Sequence, residues 1–331
     1  RALGEQHAVV GQDRDRIAPD AREAGDQRRA VERLELVEVA AVDDALTYPP
    51  RASSFQLDRE SNSELTPCAT NPLPAGEGPG GEVDSLINLL KTTKHDTTKI
   101  KILHSLARKL HRNNPKQALE YAKQALKLCG KTKKVRLKAN AYHTIAVIYK
   151  LQANYPLAVQ NHLNALNIGE ELNDSKGMAV SYGNLGIIYD LQGEYPRALK
   201  YYFDALNIFE KIKLEHPGDR SNQKNLAIAY NNVGGIYLAR GEYKPALKYY
   251  LAALEIYNEI KDKTGAIAMT YGNIAGVYFY EGKIEKSLEF HIKSLTINQE
   301  IGDKRGIATS YSNIGETYTE LAKADTTPLN K

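Results

Sequence analysis

The sequence predicts an all-α fold in which antiparallel helix pairs stack as a right-handed superhelical solenoid, preceded by a largely disordered N-terminal segment. Three observations lead there. A short block headed by tyrosine recurs at Tyr142, Tyr182, Tyr230, Tyr271 and Tyr311, and self-similarity at a period of about 20–50 residues marks a stacked array. Inside each copy the apolar residues keep helical spacing: Tyr182, Leu185, Gly186 and Tyr189 stand at i, i+3, i+4 and i+7, on one face. Between copies, glycines and short polar runs stand where helices must end and begin.

The first element is residues 1–82. It holds nine Arg and no Lys, whereas the other 249 residues hold 28 Lys and seven Arg, so the net charge of +4 divides into −7 and +11. The run from Thr66 to Gly81 is rich in proline and glycine with almost nothing apolar to bury, which predicts an unstructured linker. Val31, Leu34, Val37 and Ala41 have the spacing of a short helix with no second layer to cover it. Residues 1–82 are therefore expected to lie outside the functional unit, as a non-native or fused stretch without initiating Met or basic-then-apolar leader. The glycines at 76, 78, 80 and 81 follow a coil instead of a strand, so they do not read as a phosphate loop. Gly130-Lys131-Thr132 fails likewise, because Ala125 stands where a P-loop needs glycine.

Residues 83–323 form the expected repeat domain, about five helix pairs and a final helix, with 324–331 as a tail. The opening unit places Leu103, Leu106, Ala107 and Leu110 on its first helix and Ala118, Tyr121, Ala125 and Leu128 on its second, and reads as the N-terminal cap. In later units Gly186, Gly234, Ala275 and Gly315 occupy the place where a neighbouring helix comes close. A large side chain there would overpack by roughly 1–3 kcal/mol. First helices stop at Gly193, Gly241 and Gly282, suited to a left-handed cap, and Pro156 and Pro196 suit a following first turn. Second helices carry Ala198, Leu199, Tyr202, Ala205, Leu206 and Phe209, matched by Ala246 through Tyr257 and Ser287 through Asn298. One longer link, from Leu214 to Lys224 with Pro217-Gly218, predicts a surface loop. Ala324 through Pro328 cannot supply a second helix after Tyr311, Ile314 and Tyr318, so the last helix either caps the stack or belongs to a fragment of a longer protein.

The succession of aromatic, Leu-Gly, Tyr, then Ala, aromatic and Ala, from Tyr182 through Ala205 and again from Tyr230 through Ala253, resembles the tetratricopeptide repeat family, over about residues 99–322. The period exceeds the family's usual ~34 residues. This is similar to the extended-helix variety found in kinesin light chain and spindle-orientation adaptors. Val83 through Lys91 and Glu300 through Ala308 also resemble the sensory part of bacterial histidine kinases and cyclases.

The resemblance implies a concave surface lined by first helices. A stripe beside the core qualifies: Asn184, Ile187 and Asp190, then Asn231, Asn232 and Leu238, then Asn273, Phe279 and Tyr280, then Asn313. Asn184, Asn232, Asn273 and Asn313 recur at one place, where a ladder of amides would hydrogen-bond an extended peptide, as an Asn there does in the family. In the other reading each amide satisfies a neighbouring helix or simply sits in water. The family's carboxylate clamp is missing, since glycine or apolar residues and Asn231 hold its places. Between Lys91 and Lys138, 15 Lys or Arg face two acidic residues. With no aromatic interleaving or nucleic-acid motif, these read as a solvated outer face.

No catalytic constellation stands out. The eight histidines lack His-Glu-x-x-His spacing, and no nucleophile carries a marked base. His104, His111 and His143 are read as groove polarity in preference to a metal site. Cofactors and metals are expected to be none. No apolar run reaches the ~18 residues of a spanning helix, and Cys68 and Cys129 leave the compartment open, cytoplasmic by default or periplasmic in a sensor fragment. The expected function is a non-catalytic scaffold that binds a protein or peptide partner, without nucleic acid. The alternative is a sensory input module of a bacterial kinase or cyclase.

Overall fold

The computed structural model describes residues 79–262 and 264–326. The linker, the short upstream helix, the Arg-rich segment and most of the tail fall outside them. The described residues form twelve α-helices: α1 (Pro79–Thr92), α2 (Asp96–Leu110), α3 (Pro115–Thr132), α4 (Val135–Leu151), α5 (Tyr155–Glu171), α6 (Ser175–Leu191), α7 (Tyr195–Glu215), α8 (Arg220–Ala239), α9 (Tyr243–Glu259), α10 (Gly265–Tyr280), α11 (Ile284–Glu300) and α12 (Lys304–Thr326). Helices α2 to α11 make five pairs, each helix packing on its chain neighbours, and there is no strand among the described residues. The architecture is an all-α solenoid of antiparallel helix pairs.

Turn chemistry sets the pairs. Gly193, Gly241 and Gly282 adopt φ of +77°, +74° and +71°, and Ala153 takes the same place with φ 55°. At each, the next residue's N–H returns to a carbonyl of the last helical turn: Asn154 to Tyr149, Glu194 to Tyr189, Glu242 to Tyr237 and Lys283 to Tyr278, at 2.8–2.9 Å. Pro156 and Pro196 fall in the first turn of α5 and α7. Between pairs, Asp174 and Asp219 accept the N–H of Gly177 and Asn222, capping α6 and α8 at 3.1 Å.

Small residues face rings across the pairs. A methyl group added at Gly186 would come within 2.6 Å of the Tyr202 ring, and one at Gly234 within 2.8 Å of Tyr250. Both tyrosines are fully buried in the core that runs from α6 to α10.

Three expectations change. The supposed loop from Leu214 to Lys224 shrinks to His216–Asp219, because the extra residues lengthen α7 to 21 residues and α8 to 20. Ile212 is buried and Gln223 donates to the Pro217 carbonyl at 2.9 Å, so both extensions are anchored. The supposed linker ends earlier, since Pro79, Gly80 and Gly81 open α1. Proline is tolerated in a first turn, and Leu86 then packs on Ile102 and Leu106. Finally, α12 continues through Ala324-Asp325-Thr326, so part of the expected tail is helical.

Candidate functional site

The stripe of first-helix residues divides along the array. Toward the N-terminal side it is closed. Asn184 is buried, and its amide donates to the Val180 carbonyl of its own helix at 3.0 Å. Thr144, its counterpart one unit earlier, lies 2.9 Å from Nδ1 of His104. Ile187 is buried, and Asp190 is half-buried. In α8, Asn231 and Leu238 are buried as well.

Toward α12 the stripe opens. Asn232, Asn273 and Asn313 are each partly exposed, and none of the three side-chain amides bonds to a described group. The amide nitrogen of Asn232 is itself buried without an acceptor, and an unmet buried donor costs roughly 1–3 kcal/mol. Phe279 and Tyr280 are half-buried, meeting edge to face at 5.7 Å, and Tyr280 stacks on Tyr243 at 6.2 Å. Burial, with the nearby Glu316 carboxylate on α12, raises the pKa of the Tyr280 hydroxyl. The open part therefore combines three amides with an aromatic wall.

Asn231 serves a different purpose from the one its sequence position suggested. Its amide donates to Thr270 Oγ1 at 2.8 Å, one repeat onward. One unit before α6, Nε2 of His143 stands 3.4 Å from Ser181 Oγ in the same relation. In these two units the residue after the leading tyrosine thus meets the hydroxyl that precedes the next one, whereas after Tyr182 and Tyr271 that residue is glycine. These bonds tie successive first helices together, and sequence reasoning missed them. The signal was the hydroxyl at Ser181 and Thr270, each one residue before a repeat tyrosine and 38 or 39 residues after its partner.

His143, His162 and His291 are core members. His143 and His162 lie with their Nδ1 atoms 3.2 Å apart, both buried. Burial holds His143 down to about 4, reinforced by His104. Burial also holds His104 at about 4, with Arg108 adding to it. His162 lies well below its ordinary value for the same reason, with His143 and Lys150 beside it. His111 turns back to the Arg108 carbonyl instead of joining them. Among the described residues, no three histidine, cysteine or carboxylate side chains group as a metal site requires. The cations between Lys91 and Lys138 are exposed, apart from partly covered Lys99 and Lys138, and are spread over α1 to α4. No described helix is long and apolar enough to cross a membrane.

Two family models described as tetratricopeptide repeat match the chain, one over residues 137–211 and 266–326 and the other over 226–260, together just over half of it. No curated protein matches. Among solved structures, BtubC from P. vanneervenii superposes with a TM-score of 0.54 at 20% identity, over 68% of this chain and 90% of its own. The apo quorum sensor NprR from B. thuringiensis gives 0.56 at 20% identity, over 72% of this chain and 64% of NprR. NprR bound to its cognate peptide NprX gives 0.55 at 21% identity, over 74% and 68%. The matched residues include the glycine–tyrosine contacts and left-handed turns described above, and the chain belongs to the tetratricopeptide repeat family.

Proposed function

We propose that the repeat array is a non-catalytic protein-interaction scaffold that holds an extended or helical peptide segment in its concave groove. The observation that carries this reading is the row of amides on α8, α10 and α12, with Asn232, Asn273 and Asn313 at one register and none spent on a described partner. A peptide backbone offers carbonyls and N–H groups at regular intervals, and amides pair with both. Phe279 and Tyr280 supply apolar area beside that row. Two proteins of this fold support the reading by their ligands: NprR in complex with the peptide NprX, and a Rap protein complexed with Competence and Sporulation Factor. Asn184, Ile187, Asn231 and Leu238 take part through the packing that shapes the groove, and Asp190 lies at its edge.

The test is a random peptide library panned on the full chain, with the selected peptide titrated against Asn232→Ala and Asn273→Ala variants. Affinity should fall roughly tenfold or more in the double variant, about one lost hydrogen bond each. Unchanged affinity would remove the amides from the mechanism. A second reading, a sensory input module, draws on the quorum sensor NprR and on a signal-transduction ATPase with a tetratricopeptide repeat sensor from Pyrococcus horikoshii, both of this fold. A small molecule that competes with the selected peptide would favour it.

A further inference from the structure

Each second helix turns a line of side chains, spaced i, i+4 and i+8, away from its partner. On α5 the line is Leu163, Asn167 and Glu171, on α9 Leu251, Glu255 and Glu259, and on α11 Ile292, Thr296 and Glu300, all exposed. On α7 it is half-buried Phe203 with exposed Asn207 and Lys211. The line is open in the middle of the array, so its exposure on α3 does not depend on where the stack begins or ends. There it reads Lys123, Lys127 and Lys131, and exposed Lys133 and Lys134 follow in the turn.

Like charges four residues apart destabilise a helix, and no other described helix carries such a cationic triple. Elsewhere carboxylates answer the lysines of second helices: Lys211 meets Glu215 at 3.9 Å, Lys293 meets Glu289 at 2.6 Å, and Lys213 reaches Glu259 of the next second helix at 2.8 Å. None of the five lysines from Lys123 to Lys134 forms an ion pair among the described residues. The helix dipole favours a cation in the last turn, at Lys131, but not as far in as Lys127 and Lys123.

We infer that this outer face of α3 is a docking site for an acidic helix of a partner polypeptide, with carboxylates at i, i+4 and i+8 set one against each of Lys123, Lys127 and Lys131. Both rows repeat every ~6 Å along their helices, so three pairs form in register and the repulsion along α3 is relieved. Glu120, exposed one turn before Lys123, ends the row on that side. The remaining exposed side chains of α3 are Lys116, Glu120 and Gln124, with no aromatic ring on which a nucleic-acid base would stack and no large apolar group to enter a bilayer. The sequence itself holds no helix that fits. Residues 1–78 contain no three carboxylates at this spacing, and the triple Glu281, Glu285 and Glu289 begins in the turn before α11 and is engaged by Lys283 and Lys293. This face belongs to the second helices and does not rest on the groove reading.

The probe is a fluorescent, alanine-rich helical peptide bearing glutamates at i, i+4 and i+8, titrated with the full chain in dilute buffer. Saturable one-to-one binding is expected, and added salt should weaken it. Changing Lys123→Gln, Lys127→Gln and Lys131→Gln together should cost about tenfold or more in affinity. A peptide of the same composition with its glutamates spread around the helix should bind about tenfold less tightly than the aligned one. Urea denaturation should show the triple variant folded and no less stable than the parent, because only mutually repelling charges are removed from an exposed face. The inference fails if the aligned peptide does not saturate, if the triple variant binds it as well as the parent chain does, or if the scrambled peptide matches it. It also fails if single-stranded DNA or phosphatidylserine vesicles bind these lysines more tightly at equal charge, because another polyanion would then be the occupant. Carbodiimide cross-links from these lysines to carboxylates of residues 1–78 in the free chain would overturn it too, since the chain would then cover the face itself.

Discussion

Gly234 and Gly315 stand at the same register of the repeat, on helices whose sequences read almost alike, and the fold treats them in opposite ways. Gly234 lies under the Tyr250 ring in a sealed seam, whereas Gly315 faces outward from α12 with nothing described against it. A repeat sequence therefore specifies the helix and its face, but the adjacent helix decides whether that face is core or surface. The comparison is broken most directly by one substitution made at both places. Gly234→Leu should destabilise the chain by roughly 3 kcal/mol, since the ring above it has no free space to move into. Gly315→Leu should leave stability unchanged or raise it by up to about 1 kcal/mol through helix propensity alone. Urea denaturation of the two variants reads the difference, and equal losses would mean that the last helix is sealed as well.

The same contrast explains what could be read before the structure. Periodicity showed the helix pairs, the left-handed turns at Gly193, Gly241 and Gly282, and the close approach at Gly186 and Gly234, because each depends on residues within one unit. The sequence did not show which polar side chains cross between units. Asn231 and Asn232 are neighbours in a first helix. A rotation of about 100° per residue sends the first into the seam with Thr270 and leaves the second partly exposed. Asn184 matched the other three amides in register, yet it bonds its own helix, a choice that depends on what packs above it. The loop expected between Leu214 and Lys224 failed for a related reason: Pro217-Gly218 does mark a turn, but its flanks found partners and stayed helical.

A second comparison lies between the glycine–tyrosine locks, Gly186 with Tyr202 and Gly234 with Tyr250, and the alanine–histidine locks at the same register, Ala146 with His162 and Ala275 with His291. Tyrosine stays neutral across the physiological range, whereas histidine does not. Burial holds His291 at about 4, well under the ordinary 6.5, and pushes His162 well below it too. As pH falls below about 6.5 the unfolded chain takes up protons that the folded chain refuses, so stability should drop from there to about pH 4 and then level off. Each unit of depression corresponds to about 1.4 kcal/mol, so one such ring accounts for up to roughly 3 kcal/mol over that window. Converting the α10/α11 lock with Ala275→Gly and His291→Tyr together should remove that ring's share of the acid sensitivity. Either change alone should cost stability at neutral pH, by leaving a gap or forcing an overlap. Denaturation midpoints at pH 7 and pH 5 test this, and an unchanged pH slope in the double variant would place the acid response elsewhere, with the His143–His162 pair first in line.

The smallest expected effect concerns the turns that join the helices of each pair. Three of them place glycine in the left-handed region, and the α4–α5 turn places Ala153 there with φ 55°. A side chain costs roughly 1–2 kcal/mol in that conformation, while glycine returns part of the gain as extra freedom in the unfolded chain. Ala153→Gly should therefore stabilise the chain by about 0.5–1 kcal/mol, and Gly193→Ala should destabilise it by a similar amount. The turn is otherwise conserved in its bonding: Asn154 N–H reaches the Tyr149 carbonyl as Glu194 N–H reaches Tyr189, both at 2.9 Å. Because the hydrogen bonds match, any difference between the two turns isolates the backbone strain. Thermal denaturation of the two variants should shift in opposite directions, and a loss of stability in Ala153→Gly would show that the methyl group makes a packing contribution larger than the strain it introduces.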